Sequence, residues 1–172
     1  MGHAGDMKPP PVQVSRFSLY GEAIGAIAPE FLHVESISSR SSLHEWTIAP
    51  HTHPGIFQLL LLEQGSGMLA SDGREQTLQP TSLVMIPSGC AHAFRFAPDA
   101  EGLVLSIAAD ILNDPRIAAL RGKDGESRAR RALLERGEAA AERLVWLLAD
   151  LARELARDQA GSRSGPMANR MA

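Results

Sequence analysis

The sequence predicts a mainly β protein, a sandwich or barrel of short strands, followed by C-terminal α-helices. Three observations lead there. Between Arg16 and Ala108, short apolar or alternating runs recur with Gly, Pro and Asp-Gly turn signals between them. Within that region His51, His53 and His92 place three imidazoles at strand positions, where they can converge inside a small barrel. After Ala108 the composition shifts to Ala, Leu, Arg and Glu, which are good helix formers. With 172 residues, 44% of them hydrophobic, the chain can bury one good core, so one main domain is expected.

Residues 1–15 are Gly, Pro and small polar residues and read as a flexible arm. RFSLYGE from Arg16 is a short strand that Gly21 breaks. FLHVESI (31–37) and LHEWTI (43–48) alternate around SSRSS, which predicts a strand pair joined by a loop. Pro50 ends the second strand and delivers the chain to His51. His51 and His53 lie two residues apart, so a strand presents both on one face. The Pro54-Gly55 pair can turn or bulge the chain before Gln58. Ile56 to Leu62 is apolar at nearly every position, as in a strand buried on both faces. Strands follow at 66–70, 75–79 and 82–86, with Asp72-Gly73 as a tight hairpin turn. Pro87 and Gly89 turn the chain into a strand at 92–97, and Pro98-Asp99 separates it from the last one, 102–108.

Residues 16–109 therefore form the barrel, and 110–159 a helical segment. Asn113 or Asp114 can cap a short helix that has Pro115 in its first turn and runs to about Leu120. A longer helix is expected from Ser127 to Asp158, bent or broken at Gly137. Leu144, Leu148, Leu151 and Leu155 form an apolar stripe on it, with Leu147 alongside. Residues 160–172 read as a disordered, linker-like tail.

Charge excludes some functions. The net charge is −3, and residues 1–120 hold 6 Lys or Arg against 12 Asp or Glu, so the body offers no surface suited to phosphates. Cys90 is the single cysteine, which rules out an internal disulfide and suits a cytoplasmic location. No apolar run approaches the roughly 18 residues of a membrane span, and the N-terminus has no signal-peptide core. GxSxG, HExxH, Walker-type and GxGxxG motifs are absent. No catalytic residue is assigned.

His51, His53 and His92 can hold a divalent metal, Zn, Ni, Fe or Mn among them, with the amide oxygen of Gln58 as a weak fourth ligand. The bland alternative is a hydrogen-bonded polar cluster. If His92 points inward, alternation sends Phe94 and Phe96 inward and Arg95 outward. Phe94 and Phe96, with Trp46 just before the histidine stretch, either line an apolar ligand pocket or fill the core.

Two motifs carry a resemblance to the cupin superfamily, HxH(x)4E(x)6G and PxG(x)2H(x)3N. The first reads His51, His53, Gln58 and Gly65, with Gln in place of Glu. The second reads Pro87, Gly89, His92 and Phe96, with Phe in place of Asn, and Thr81 stands where a glycine is usual. The resemblance implies a jelly-roll barrel with a metal at the three histidines. The loss of the carboxylate implies weaker cation binding.

A narrower resemblance spans about Arg16 to Asp158. The strings RFSLYGE, FLHVESISSRSSLHEWTIAPHTHPGIFQLLLLEQGSG, LVMIPSGCAHAFRF and GLVLSIA are similar to the sensor half of AraC-type transcription regulators, especially those of 4-hydroxybenzoate and 4-hydroxyphenylacetate catabolism. It implies a small aromatic acid as effector and a homodimer through the C-terminal helices. On that view Leu148→Glu or Leu151→Glu gives a monomer. It also implies a DNA-binding half of roughly another hundred residues beyond this chain, which alone is expected not to bind DNA. The alternative is a stand-alone metal-dependent cupin enzyme, a dioxygenase or isomerase acting on a small carbonyl or aromatic substrate.

Overall fold

A computed structural model describes residues 15–16, 31–118, 128–135 and 137–163. Two five-stranded sheets face each other in a cupin-type jelly roll, and a long helix lies against one of them. The first sheet contains β1 (Ser15–Arg16), β3 (Thr47–Thr52), β8 (His92–Phe96), β5 (Gly67–Ser71) and β6 (Arg74–Leu78), in that order. The second contains β10 (Arg130–Leu133), β7 (Ser82–Ile86), β4 (Ile56–Gln64), β9 (Glu101–Ala108) and β2 (Leu32–Ser36). All pairings are antiparallel except β1 with β3.

Strand β4 shows why its sequence is so uniformly apolar. One face sends Leu60 and Leu62 into the core between the sheets, beside Leu69, Leu78, Val84, Phe94 and Phe96. The opposite face sends Leu61 into a second cluster with Leu83, Leu105 and Leu148, so both faces are dry. Leu148 belongs to helix α4 (Ala139–Arg163), which also lays Leu144, Val145 and Leu151 on the outside of this sheet. Three leucines of the predicted stripe, Leu144, Leu148 and Leu151, thus pack within the chain. Substituting Leu148 attacks the core rather than a subunit contact. The face of α4 left exposed carries Trp146 and Leu147 instead.

Three further expectations are corrected. The 31–37 and 43–48 segments do not pair: β2 joins β9 and β3 joins β8, in different sheets. Between them the serine run is helical, as α1 (Ile37–Ser41) followed by a 3-10 turn at Ser42–His44. Ser36 caps α1, its Oγ accepting from Ser39 N at 3.0 Å, which is the N-cap geometry that makes serine a helix starter. Finally, the helix expected from Ser127 starts only at Ala139, and Arg130–Leu133 is strand β10 on the edge of β7. The open ladder of β7 outweighs local helix propensity there. Thr81, at the position of the missing motif glycine, anchors this strand: its Oγ1 donates to Leu134 O at 2.6 Å, and Leu134 N donates to Thr81 O at 2.9 Å.

Other readings match. The Asp72-Gly73 turn joins β5 to β6 with both residues at positive φ, 51° and 70°. β9 ends at Ala108, but β10 at Arg130–Leu133 adds one more strand to the second sheet within the stretch read as helical. Two short helices follow, α2 (Ala109–Leu112) and α3 (Pro115–Ala118), the second beginning at the proline as expected. Residues 1–14, 17–30, 119–127, 136 and 164–172 lie outside the described residues, and with them the arm, most of RFSLYGE and most of the tail.

Candidate metal and ligand site

The two histidine stretches meet because their turns are tied together. Gly89 N donates to His53 O at 3.1 Å, and Gly55 N donates to Ser88 Oγ at 2.7 Å. Gly89 has φ 74° and Gly55 φ 77°, a conformation glycine adopts at little steric cost. β3 and β8 then place His51 opposite His92 in register. The ligand nitrogens of His51, His53 and His92 all lie within 4.8 Å of one another. All three side chains are buried.

Their tautomers follow from the backbone. His51 Nδ1 lies 2.8 Å from Ala49 O and His92 Nδ1 2.9 Å from Cys90 O. A carbonyl can only accept, so each Nδ1 carries the proton and each Nε2 the lone pair. Carbonyl anchoring of the distal nitrogen is how metal-binding histidines are usually oriented. His92 Nε2 is buried with no hydrogen-bond partner, a costly state for a lone pair unless a cation or ligand meets it. The three histidines can therefore hold a metal ion.

Electrostatics keep His51 and His92 neutral. Burial pushes the pKa of His92 down to about 3, and the neighbouring His51 adds to the effect; the hydrogen bond to Cys90 opposes it. His51 is lowered too, first by burial, with the Ala49 hydrogen bond working against it and Arg40 reinforcing it. Unfolded histidines protonate near pH 6.5, so the unfolded chain binds more protons below that value and folding stability falls with pH. Between pH 7 and 5 His92 alone should remove about 2 kcal/mol. Urea unfolding of EDTA-treated protein measures this, and His92→Leu should flatten the pH dependence by that amount. An equally steep profile in the variant would place the loss elsewhere.

Gln58, on β4, is buried and shares a cavity with His51 and His92. Its Nε2 donates to Ser106 Oγ at 3.1 Å, so its carbonyl oxygen is the atom left to meet a cation or ligand. Phe94 and Phe96 are buried on the inner face of β8, stacked 5.2 Å apart, and line the same cavity; Arg95 between them is exposed. The cavity is tight, with about 20 Å³ of free space, roughly room for one water, so an organic ligand enters only if the lining side chains move. Trp46 packs against the core cluster and is not among the cavity's walls. His53 completes the histidine cluster without lining the cavity.

Sequence reasoning missed one wall. Helix α1 contributes Ile37, Arg40 and Ser41 to the cavity. The signal available was an arginine inside an otherwise small and polar run before the histidine strand. Only the helical turn reveals which side chains face inward. Among the described residues that line the cavity there is no carboxylate.

The profile of the AraC-like ligand binding domain matches residues 33–168, covering barrel and long helix together. No curated protein sequence matches the chain. Among solved structures, an apo ToxT variant from Vibrio cholerae is similar at 11% identity with a TM-score of 0.46, covering 72% of this chain and 48% of that one. A cupin-2 domain protein from Shewanella frigidimarina gives 15% identity and a TM-score of 0.37, over 50% of this chain and 78% of that one. KdgF from Halomonas gives 22% identity and 0.35, over 36% and 58%. The chain thus spans about half the length of the ToxT chain it matches.

Proposed function

This chain belongs to the AraC-like ligand binding domain family, and from that premise we propose that it is the effector-sensing half of a transcription regulator whose effector is a small aromatic acid. The observation that carries a sensing role rather than a catalytic one is the character of the cavity. Its walls are mainly apolar, with two stacked phenylalanines, neutral histidines and a glutamine where an enzyme of this kind would place a carboxylate. The likeness of the sequence to regulators of 4-hydroxybenzoate and 4-hydroxyphenylacetate catabolism supports the aromatic acid, and Phe94 and Phe96 suit its ring. Binding rather than turnover is what such a lining favours.

A divalent metal at His51, His53 and His92, with Gln58 O as a fourth ligand, would supply a fixed positive charge for an anionic effector. The chain's own part is to hold three imidazoles together, with His51 and His92 neutral and in the tautomer that frees Nε2. The subunits would associate through the outer face of α4, where Trp146 and Leu147 stand exposed. DNA binding would belong to a segment other than this one. No helix among the described residues is long and apolar enough to cross a membrane.

Native mass spectrometry of the protein, incubated in air with hydroxylated and plain aromatic acids, tests the proposal. A dimer retaining one unchanged acid per subunit is the expected result. A divalent ion that is lost in His92→Ala would establish the metal site. Oxygenated or isomerised product that disappears in His51→Ala would overturn the sensor in favour of an enzyme.

A further inference from the structure

The inner end of α1 presents an ion pair where a barrel wall needs none. Arg40 Nη1 donates to Glu35 Oε1 at 2.6 Å, and the two side chains are only 15% and 9% exposed. Burying such a pair costs desolvation energy that Coulomb attraction often fails to return. Arg40 nevertheless lines the cavity, facing the same space as His51, His92 and the two phenylalanines. Beside it, Ser41 is 1% exposed, also lines the cavity, and its Oγ has no hydrogen-bond partner. A buried hydroxyl without a partner at a cavity wall is a donor waiting for an acceptor. Arg40 is the only arginine, lysine or carboxylate residue among the described lining residues. A guanidinium therefore stands in one wall of the cavity, with Phe94 and Phe96 in others.

From this geometry we infer that Arg40 and Ser41 form the subsite that takes the acidic group of the cavity's ligand, making that ligand a monoanionic carboxylic acid. The inference rests on the sensor reading and adds to it the residues that read the acid. The guanidinium carries five donors in a planar fork, and its bond to Glu35 leaves others for a carboxylate. Ser41 Oγ–H donates to the second carboxylate oxygen. Glu35 is a positioning residue: it holds the fork and offsets part of its charge, so that a single negative charge suffices. The ring then extends towards Phe94 and Phe96, in the direction of the histidines.

Isothermal titration of EDTA-treated protein with benzoate, benzamide and hexanoate tests the subsite with no metal to hold the anion. Wild type should bind benzoate at least tenfold more tightly than benzamide, the margin of a charge-assisted hydrogen bond over a neutral one. Arg40→Gln should bring that ratio close to one by weakening benzoate far more than benzamide. Ser41→Ala should weaken benzoate several-fold. Glu35→Gln keeps the arginine and removes its partner, and should tighten benzoate; it also guards against misfolding of the Arg40 variant. If benzoate binds with a ratio that survives Arg40→Gln, or Arg40→Gln weakens acid and amide alike, the subsite is wrong and the sensor reading stands. If hexanoate binds with the same dependence on Arg40 and benzoate does not bind, the subsite stands and the aromatic effector falls. Absence of binding by every acid overturns both.

Discussion

Gly102→Ala is expected to cost about 4 kcal/mol or more, enough to unfold many domains of this size. A Cβ at this position would sit 1.9 Å from the carbonyl oxygen of Leu61 and 3.0 Å from Ile37 Cδ1. Gly102 lies opposite Leu62 in the β4–β9 ladder, the centre of the second sheet. The obstacle is backbone in a paired strand, so no side-chain rotation relieves it, and the ladder itself must open. The same movement would displace Ile37 and with it the α1 wall of the cavity. Gly73→Ala is the matched control: its φ is 70°, yet nothing lies within 4 Å of the added methyl. It should cost only about 1 kcal/mol, the usual strain of a left-handed conformation. Urea midpoints of the two variants give the comparison directly. Similar midpoints would mean that β4 and β9 do not approach as closely as described.

Leu148→Glu is expected to destabilise the fold by about 3 kcal/mol or more, whatever the oligomeric state. Leu148 is 7% exposed and sits between Leu61, Leu83 and Leu105 under α4. A carboxylate there loses the leucine's packing and has no cation described beside it. Trp146→Glu, on the opposite face and 58% exposed in the monomer, should leave the thermal midpoint of the monomer almost unchanged. If the proposed dimer forms through that face, this second variant lowers the sedimentation coefficient. The pair separates two uses of one helix. A Leu148→Glu protein that melts normally would return the leucine stripe to the subunit interface.

Much of the candidate site was legible because it depends on local periodicity. His51 lies near the end of β3 and His53 follows just beyond it, as their spacing of two suggested, and Gln58 comes next on β4 with its side chain inward. Phe94 and Phe96 point inward with His92 for the same reason. The turns that bring these strands together are also local, since Gly55, Gly73 and Gly89 all adopt positive φ. Gly65 has a further, non-local reason to be glycine: a Cβ would approach the Asp99–Ala100 backbone to 2.7 Å.

The rest was decided by partners distant in the chain. SSRSS contains good turn residues, and nothing nearby says that Ser36 would cap a helix turning Arg40 and Ser41 into the cavity. Arg130–Leu133 has helical composition, and it is strand because β7 offers an unfilled row of hydrogen-bonding groups. The leucine stripe on α4 announced only that one face must be dry; the two-sided hydrophobicity of β4 was the other half of that statement. Strand periods, turn chemistry and the histidine spacing are set by neighbours one to five residues apart, so the linear order carries them. Which edge is filled, which face is covered and which polar side chain lines the cavity depend on competition among surfaces that exist only once the sheets have formed.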